Sequence, residues 1–298
     1  MRPQSELSYR RRINRVVAHV HAQLSSDLEG STLADIAAMS RFHFHRVFAA
    51  MTGMTPAQYV LRMRLAAAVE ALRGGSAPVG QIALDCGFDG GTSFARALRR
   101  EFGLSPSAVR TALVDPRLAL PLLASRRPSR PSRRKTMLEP TFRDLPERQV
   151  LCATERGAID NDMSAAAQRA FGRLLPAVQA LGLGERQTAC LAICPDEVQG
   201  FDDPDARFIA AIAFSGPVPD LSTVDRIDCQ AIPAGRWAVF RHTGPYDTLW
   251  QTWRAIYRDW VPSSGVELRD AAPFEDYVND ASRVPAEQLI TDIHIPIR

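Results

Sequence analysis

The 298-residue sequence predicts a multidomain chain with two parts of different fold class. The N-terminal part is all-α and built from a duplicated two-helix unit. The C-terminal part is α+β, two β-α-β-β repeats sharing an antiparallel sheet. Three observations predict this division. Phe44, Arg46, Gly53, Thr55 and Pro56 recur fifty positions later as Phe94, Arg96, Gly103, Ser105 and Pro106. A second, weaker repeat opens with Arg148-Gln-Val-Leu-Cys-Ala-Thr-Glu-Arg-Gly and again with Arg236-Trp-Ala-Val-Phe-Arg-His-Thr-Gly. The charge divides at the same place: up to Lys135 there are 21 Lys and Arg against 9 Asp and Glu, and beyond it 15 against 24, so a net of +3 conceals halves of +12 and −9.

In the first copy of the helical unit, Leu33 to Met39 is expected as a short helix. Ser40 is placed to N-cap a second helix running to about Met51. Phe44, Val47, Phe48 and Met51 stand at i, i+3, i+4 and i+7 and predict one buried stripe, which leaves Arg41, Phe42, His45, Arg46 and Ala49 outward. Gly53 is a left-handed C-cap, and Thr55-Pro56-Ala57-Gln58 has the capping-box spacing with proline at the first helical position. The second copy repeats the plan. Val79, Ile82 and Ala83 lie on a leading helix, Gly87 makes a tight turn, and Phe94, Leu98 and Phe102 form the stripe, with Thr92, Ser93, Arg96, Arg99 and Arg100 outward. Two helices joined by a short turn, the second basic on its outer face, make a helix-turn-helix, here twice. An isolated arginine on such a face is ordinary solvated surface. The same residue on the same face of both copies favours contact with phosphates or bases.

The run from Leu33 to Arg110 resembles the DNA-binding domain of AraC/XylS-type transcription regulators. Most diagnostic are Ile82-Ala-Leu-Asp-Cys-Gly-Phe-Asp and Phe94-Ala-Arg-Ala-Leu-Arg-Arg-Glu-Phe-Gly-Leu-Ser-Pro-Ser. The resemblance implies seven helices, with a long one from about Pro56 to Arg73 bridging the two units. It also implies base-reading helices at Ser40 to Met51 and Gly90 to Phe102, with Phe42, His45 and Arg46 in the first and Thr92, Ser93 and Arg96 in the second at the contact positions. Gly90-Gly91 stands where that family carries polar side chains, which shifts the expected readout toward the first unit.

Residues 1–113 are thus expected as the helical domain, 114–137 as a linker rich in Pro, Ser and Arg, and 138–298 as the α+β domain. A basic front half suits a polyanion through counterion release. The five arginines between Ser125 and Lys135 fit a solvated tether and equally fit extra phosphate contacts. No stretch reaches the ~20 apolar residues of a membrane span and no apolar signal region opens the chain, so a cytoplasmic protein without membrane association is expected. Five cysteines at Cys86, Cys152, Cys190, Cys194 and Cys229 contain no C-x-x-C pair and are expected as free thiols. No His, Cys or carboxylate spacing suggests a metal, and no cofactor is expected.

After each opening strand of the C-terminal part comes an amphipathic helix, about Asp162 to Leu181 and Tyr246 to Trp260, and then two strands, Thr188–Cys194 with Phe208–Phe214, and Phe274–Asn279 with Gln288–Pro296. Helices on a single face leave the opposite face, or the groove between the halves, for a ligand. His242-Thr-Gly-Pro-Tyr246, Trp250/Trp253/Tyr257/Trp260 with Val261-Pro-Ser-Ser-Gly265, Pro273-Phe-Glu-Asp-Tyr277 and Thr291-Asp-Ile-His-Ile-Pro-Ile resemble the GyrI-like small-molecule-binding domain. The order of the two domains is similar to Rob-type regulators. That resemblance places Glu275 near the cleft, where a carboxylate among aromatic walls attracts lipophilic cations. Tyr277 shares its strand face, and Tyr246 and Trp237 are the other candidate walls. The four aromatics from Trp250 to Trp260 are expected as core, and His242 as a strand-end residue.

The expected function is a ligand-responsive, non-enzymatic transcription regulator of multidrug-sensing type. Both recognition helices would enter the major groove of double-stranded DNA, while a small, cationic or aromatic effector biases DNA affinity or contact with RNA polymerase. Two alternatives remain open at this point: a GyrI-like hydrolase of small reactive compounds using Glu275 and Tyr277, and a gyrase-inhibitor-like protein-interaction module tethered to DNA.

Overall fold

The computed structural model describes residues 4–74, 76–111, 138–159, 162–196, 198 and 203–298. The linker expected at 114–137 lies outside them. The described residues form two compact units, one of residues 9–39 and 48–111, the other of residues 4–8, 40–47 and 138–298.

The helical elements are α1 (Gln4–Ala22), α2 (Gly30–Ala37), α3 (Arg41–Thr52), α4 (Pro56–Gly74), α5 (Val79–Asp85), α6 (Gly91–Phe102) and α7 (Pro106–Thr111). In the first unit Tyr9, Ile13, Val16 and Val20 bury one stripe of α1. A core of Leu65, Leu72, Ile82, Phe94 and Leu98 joins α4, α5 and α6. The capping box at the start of α4 forms as its spacing predicts: Thr55 N donates to Gln58 Oε1 at 3.1 Å and Gln58 N to Thr55 Oγ1 at 3.3 Å. Gly87 makes its turn at φ +84°, and a Cβ there would stand 2.2 Å from the carbonyl oxygen of Leu24, so both backbone angle and space require glycine. Arg64 donates to the Leu24 and Ser26 carbonyls at 2.9 Å, and its guanidinium also fills the space a Cβ at Gly87 would need.

Helix boundaries differ from expectation in two places. α2 starts three residues earlier than Leu33 and ends at Ala37, because Ala38 turns left-handed at φ +51°. Ser40 precedes α3 and its carbonyl accepts from His43 N and Phe44 N, but its hydroxyl is buried without a hydrogen-bond partner, so the side chain does not cap.

The second unit carries β1 (Thr141–Leu145), β2 (Arg148–Ala158), α8 (Ser164–Ala180), β3 (Gln187–Ile193), β4 (Asp203–Phe214), β5 (Asp228–Ile232), β6 (Gly235–Thr243), α9 (Leu249–Ala255), a π-helical turn (Ile256–Trp260), α10 (Val261–Ser264), β7 (Phe274–Tyr277) and β8 (Ile290–Ile297). All eight strands join one antiparallel sheet in the order β1-β6-β8-β7-β3-β4-β2-β5. The two β-α-β-β repeats are β2-α8-β3-β4 and β6-α9-β7-β8, and they meet where β3 pairs with β7. Two edge strands were not foreseen. β1 precedes the first repeat and pairs with β6 of the second, while β5 precedes the second and pairs with β2 of the first, so each repeat lends its leading strand to the other.

Strand alternation divides the core. Val150, Cys152, Leu191, Ala211, Trp237, Val239 and Phe274 pack together on one face. Leu151, Ala153 and Ile212 on the other face pack beneath Ala170, Leu174 and Val178 of α8. On that helix-covered face Phe240 meets Trp260 edge-on at 4.8 Å. The five cysteines are free thiols. Burial pushes Cys152 up to about 12 and Cys190 to about 11, so both stay protonated at neutral pH.

Candidate functional site

β7 is four residues long, and its alternation aims Phe274 into one sheet face and Glu275 into the other. Glu275 is opposite Ile293 on β8 and Ala192 on β3, both apolar. At 7% exposure its carboxyl is removed from water, and burial pushes its pKa above the ordinary glutamate range. Two donors act against that. Trp253 donates its indole N–H to Glu275 Oε1 at 2.6 Å, and Tyr277 donates its hydroxyl to Oε2 at 2.8 Å. Tyr277 is held well above its usual value by burial and by the charge of Glu275, so it remains a donor.

Around this carboxyl the aromatic rings converge. Tyr246 and Phe171 meet Tyr277 edge-on at 5.4 and 6.0 Å, and Tyr257 stacks parallel on Trp253 at 6.2 Å with only 9° between the rings. Glu275, Tyr277 and Tyr246 are therefore brought together, between α8, which carries Phe171, and α9, which carries Trp253. Trp237 does not join them. It is fully buried on the other face of the sheet, edge-on to Phe274 at 4.9 Å and beneath the Arg269 guanidinium, because its register partner Pro296 lies an odd number of residues from Ile293. It is a core residue and not a wall of the groove.

Tyr257 is buried at 2% exposure, as expected of a core residue, and Trp253, half-buried, reaches the Glu275 carboxyl. The four aromatics do not share one environment: Trp250 and Trp253 lie on α9, and Tyr257 and Trp260 in the π-helical turn that follows it. Trp250, expected as core, is 56% exposed, Trp253 bonds Glu275, Tyr257 pairs with His43, and Trp260 turns onto Phe240. His242 ends β6 as expected: Nδ1 pairs with Thr252 Oγ1 at 2.9 Å and Nε2 lies 3.4 Å from the Pro245 carbonyl, fixing the turn that leads to Tyr246.

The same unit contains residues 40–47, and this changes the expectation for α3. Arg41 is exposed, and Phe42 and His45 are half-buried. Arg46, expected to face outward, is 7% exposed. Its Nη1 donates to the Phe42 carbonyl at 2.8 Å, and its Nη2 to the carbonyls of Cys194 and Asp196 at 3.0 and 2.6 Å. The guanidinium carbon lies 5.0 Å from the Trp253 ring centre and 5.9 Å from that of Tyr257. His43 is buried beside it, with Nδ1 2.8 Å from the Tyr257 hydroxyl and Nε2 3.0 Å from the Arg269 carbonyl. A carbonyl can only accept, so Nε2 carries the proton and Nδ1 accepts from Tyr257. Burial, and then the charge of Arg46, lower His43 to about 3. The carbonyls that hold Arg46 are themselves braced: Cys194 N donates to the Pro273 carbonyl, and the Asp196 carboxylate takes a bidentate bond from Arg207 at 2.6 and 2.8 Å.

In the helical unit, α6 presents Thr92, Arg96, Arg99 and Arg100 to solvent while Phe94 and Leu98 are buried. Ser93 is half-buried and bonds back to the Gly90 carbonyl at 2.8 Å. Gly91, Thr92, Ala95, Arg96 and Arg99 line one shallow hollow. Among the described residues, no group of three or more His, Cys, Asp and Glu is placed to hold a metal ion, and no helix is long and apolar enough to cross a membrane.

A family model for the GyrI-like small molecule binding domain matches residues 138–298, more than half of the chain. The chain belongs to that family. Its GyrI-like domain follows an AraC-type helix-turn-helix domain, for which a helix-turn-helix model matches residues 33–112. Among curated proteins the chain is similar to the probable transcriptional regulator LumQ of Photobacterium leiognathi, 34% identical over 98 residues, covering 32% of this chain and 40% of that one. It is similar as well to the transcriptional activator RhaS of Enterobacter sp. (strain 638), 34% identical over 99 residues, 33% of this chain and 36% of that one. The chain thus spans 40% or less of these two relatives' length. Among solved structures it resembles an AraC-type DNA-binding regulator from Chromobacterium violaceum, at 28% identity and a TM-score of 0.34 over 36% of this chain and 96% of that one.

Proposed function

We propose that this GyrI-like family member is a ligand-responsive transcription regulator acting on double-stranded DNA in the cytoplasm. Its two helix-turn-helix units enter successive major-groove segments, and a small cationic or aromatic effector in the groove at Glu275 biases DNA affinity or contact with RNA polymerase. The observation that carries the effector half is the buried Glu275 with an indole N–H and a phenol O–H on its two oxygens and aromatic faces around it. Two fixed donors hold a negative charge where solvent does not, and that charge with adjacent ring faces recognises a cation. Occupation of both oxygens also favours charge recognition over the general-base role a hydrolase would need. The DNA half is supported by the duplicated helical units and by the arginines exposed on α6.

Arg96→Ala tests the DNA half. Binding to a duplex enriched from random sequence by the intact protein should weaken by about 1–3 kcal/mol if Arg96 reads a base, and the dependence on salt should fall by about one ion if it meets a phosphate. Fluorescence anisotropy at several salt concentrations reads both. Unchanged affinity together with an unchanged slope removes Arg96 from the interface.

A further inference from the structure

The groove at Glu275 holds a cation already, and it belongs to the chain. We propose that Arg46 of α3 is the internal occupant of the effector site, and that the effector is a planar cation bearing N–H groups, of the guanidinium or amidinium class, which takes the place of Arg46. The inference rests on the reading of this groove as an effector site and specifies its ligand and its regulation.

The geometry points to this class. The Arg46 guanidinium lies over the Trp253 and Tyr257 rings at 5.0 and 5.9 Å, and Trp253 also donates to Glu275. Its charge acts on Glu275 in the sense of an ion partner, offsetting part of the rise that burial causes. Besides the ring faces, backbone carbonyls hold the group: Phe42 accepts from Nη1, and Cys194 and Asp196 accept from Nη2. Carbonyls reward a cation only if it carries N–H donors. A quaternary ammonium or phosphonium would satisfy the rings and the carboxylate but donates no hydrogen bond to any of these carbonyls. An amidinium supplies flat shape, delocalised charge and forked N–H groups together.

Arg46 also occupies the face of α3 expected to meet DNA, and one guanidinium cannot be in the groove and on DNA at once. Effector entry therefore frees Arg46, and by linkage DNA engagement of Arg46 opens the site to effector. An internal competitor lowers the apparent affinity of the effector by the fraction of chains in which the site is open.

The test is calorimetric titration of benzamidine, and separately of tetraphenylphosphonium, into the full chain as wild type, Arg46→Ala and Arg46→Ala/Glu275→Gln. Arg46→Met, which keeps the apolar stem of the side chain, replaces Arg46→Ala if the latter lowers the melting temperature. Benzamidine should bind the Arg46 variant about tenfold more tightly than the wild type, and the gain should vanish when Glu275 is also changed. Equal benzamidine affinity in wild type and Arg46 variant overturns the internal occupant while leaving cation binding intact. Preference of the Arg46 variant for tetraphenylphosphonium overturns the proposed class. Failure of all folded variants to bind either cation overturns the effector-site reading itself and this inference with it.

Discussion

Glu275→Gln should weaken binding of a small organic cation by about 2–5 kcal/mol, the usual cost of removing one member of a buried, hydrogen-bonded charge pair. The substitution preserves shape, so the loss isolates charge. With the amide oxygen turned to Trp253 N–H, the amide NH2 meets the Tyr277 hydroxyl, which can rotate to accept from it, so both hydrogen bonds survive. Neutral aromatic ligands that use only the ring faces should bind nearly as before. The wild type should show the same dependence through pH. Because burial raises Glu275, its carboxyl takes up a proton above the ordinary glutamate range, so cation affinity should fall as pH is lowered through that raised value and recover above it. Calorimetry with one cation and one neutral aromatic, repeated across pH, reads both effects. Equal loss for both ligands, or a flat pH profile, contradicts a charge-recognising site.

Acid should destabilise the unit of residues 4–8, 40–47 and 138–298 well before its carboxylates reach their ordinary range. His43 is lowered to about 3, first by burial and then by Arg46, and His294 to about 4 by burial, stacked on Phe274 at 4.2 Å. Both are neutral in the fold and have an ordinary value of 6.5 when exposed. Between pH 6.5 and 4 the unfolded chain therefore binds the extra protons. At about 1.4 kcal/mol per pH unit for each group, the fold loses roughly 3 kcal/mol per histidine by pH 4, and the contribution is complete above 6.5. Glu275 and Asp276, both raised chiefly by burial, act in the opposite sense and offset part of the loss. Urea unfolding at pH 7 and pH 4.5 measures the difference, and His294→Gln should reduce the pH dependence by about half while lowering stability at pH 7. A stability that does not fall on acidification contradicts the buried neutral histidines.

Much of this was legible in the sequence because local spacing carries it. The fifty-residue duplication, the Thr55–Gln58 capping box and the Gly87 turn are each specified within a few residues. So is the pairing of Glu275 with Tyr277, since strand period 2 puts them on one face. What was not legible depends on long-range register. Whether Trp237 shares a face with Glu275 is decided by the pairing of β6 and β7 through β8, which neither segment records. The strands β1 and β5 escaped because five-residue edges with the sequences Thr-Phe-Arg-Asp-Leu and Asp-Cys-Gln-Ala-Ile carry no apolar alternation. Helical periodicity puts Trp253 and Tyr257 on one inward face but does not record that Trp253 reaches Glu275, 22 residues away. The i, i+4 spacing of those two rings was the available signal. Arg46 was assigned outward because helical periodicity sees only the helix, and its burial depends on carbonyls 148 and 150 residues away.

The most direct test of the account is the affinity of the intact wild-type chain for its enriched duplex, measured by anisotropy with and without saturating benzamidine. Benzamidine is expected to tighten DNA binding at least about fivefold, within the ordinary range of allosteric coupling, and to leave Arg46→Ala unchanged. DNA affinity that is the same with and without a bound ligand would contradict it.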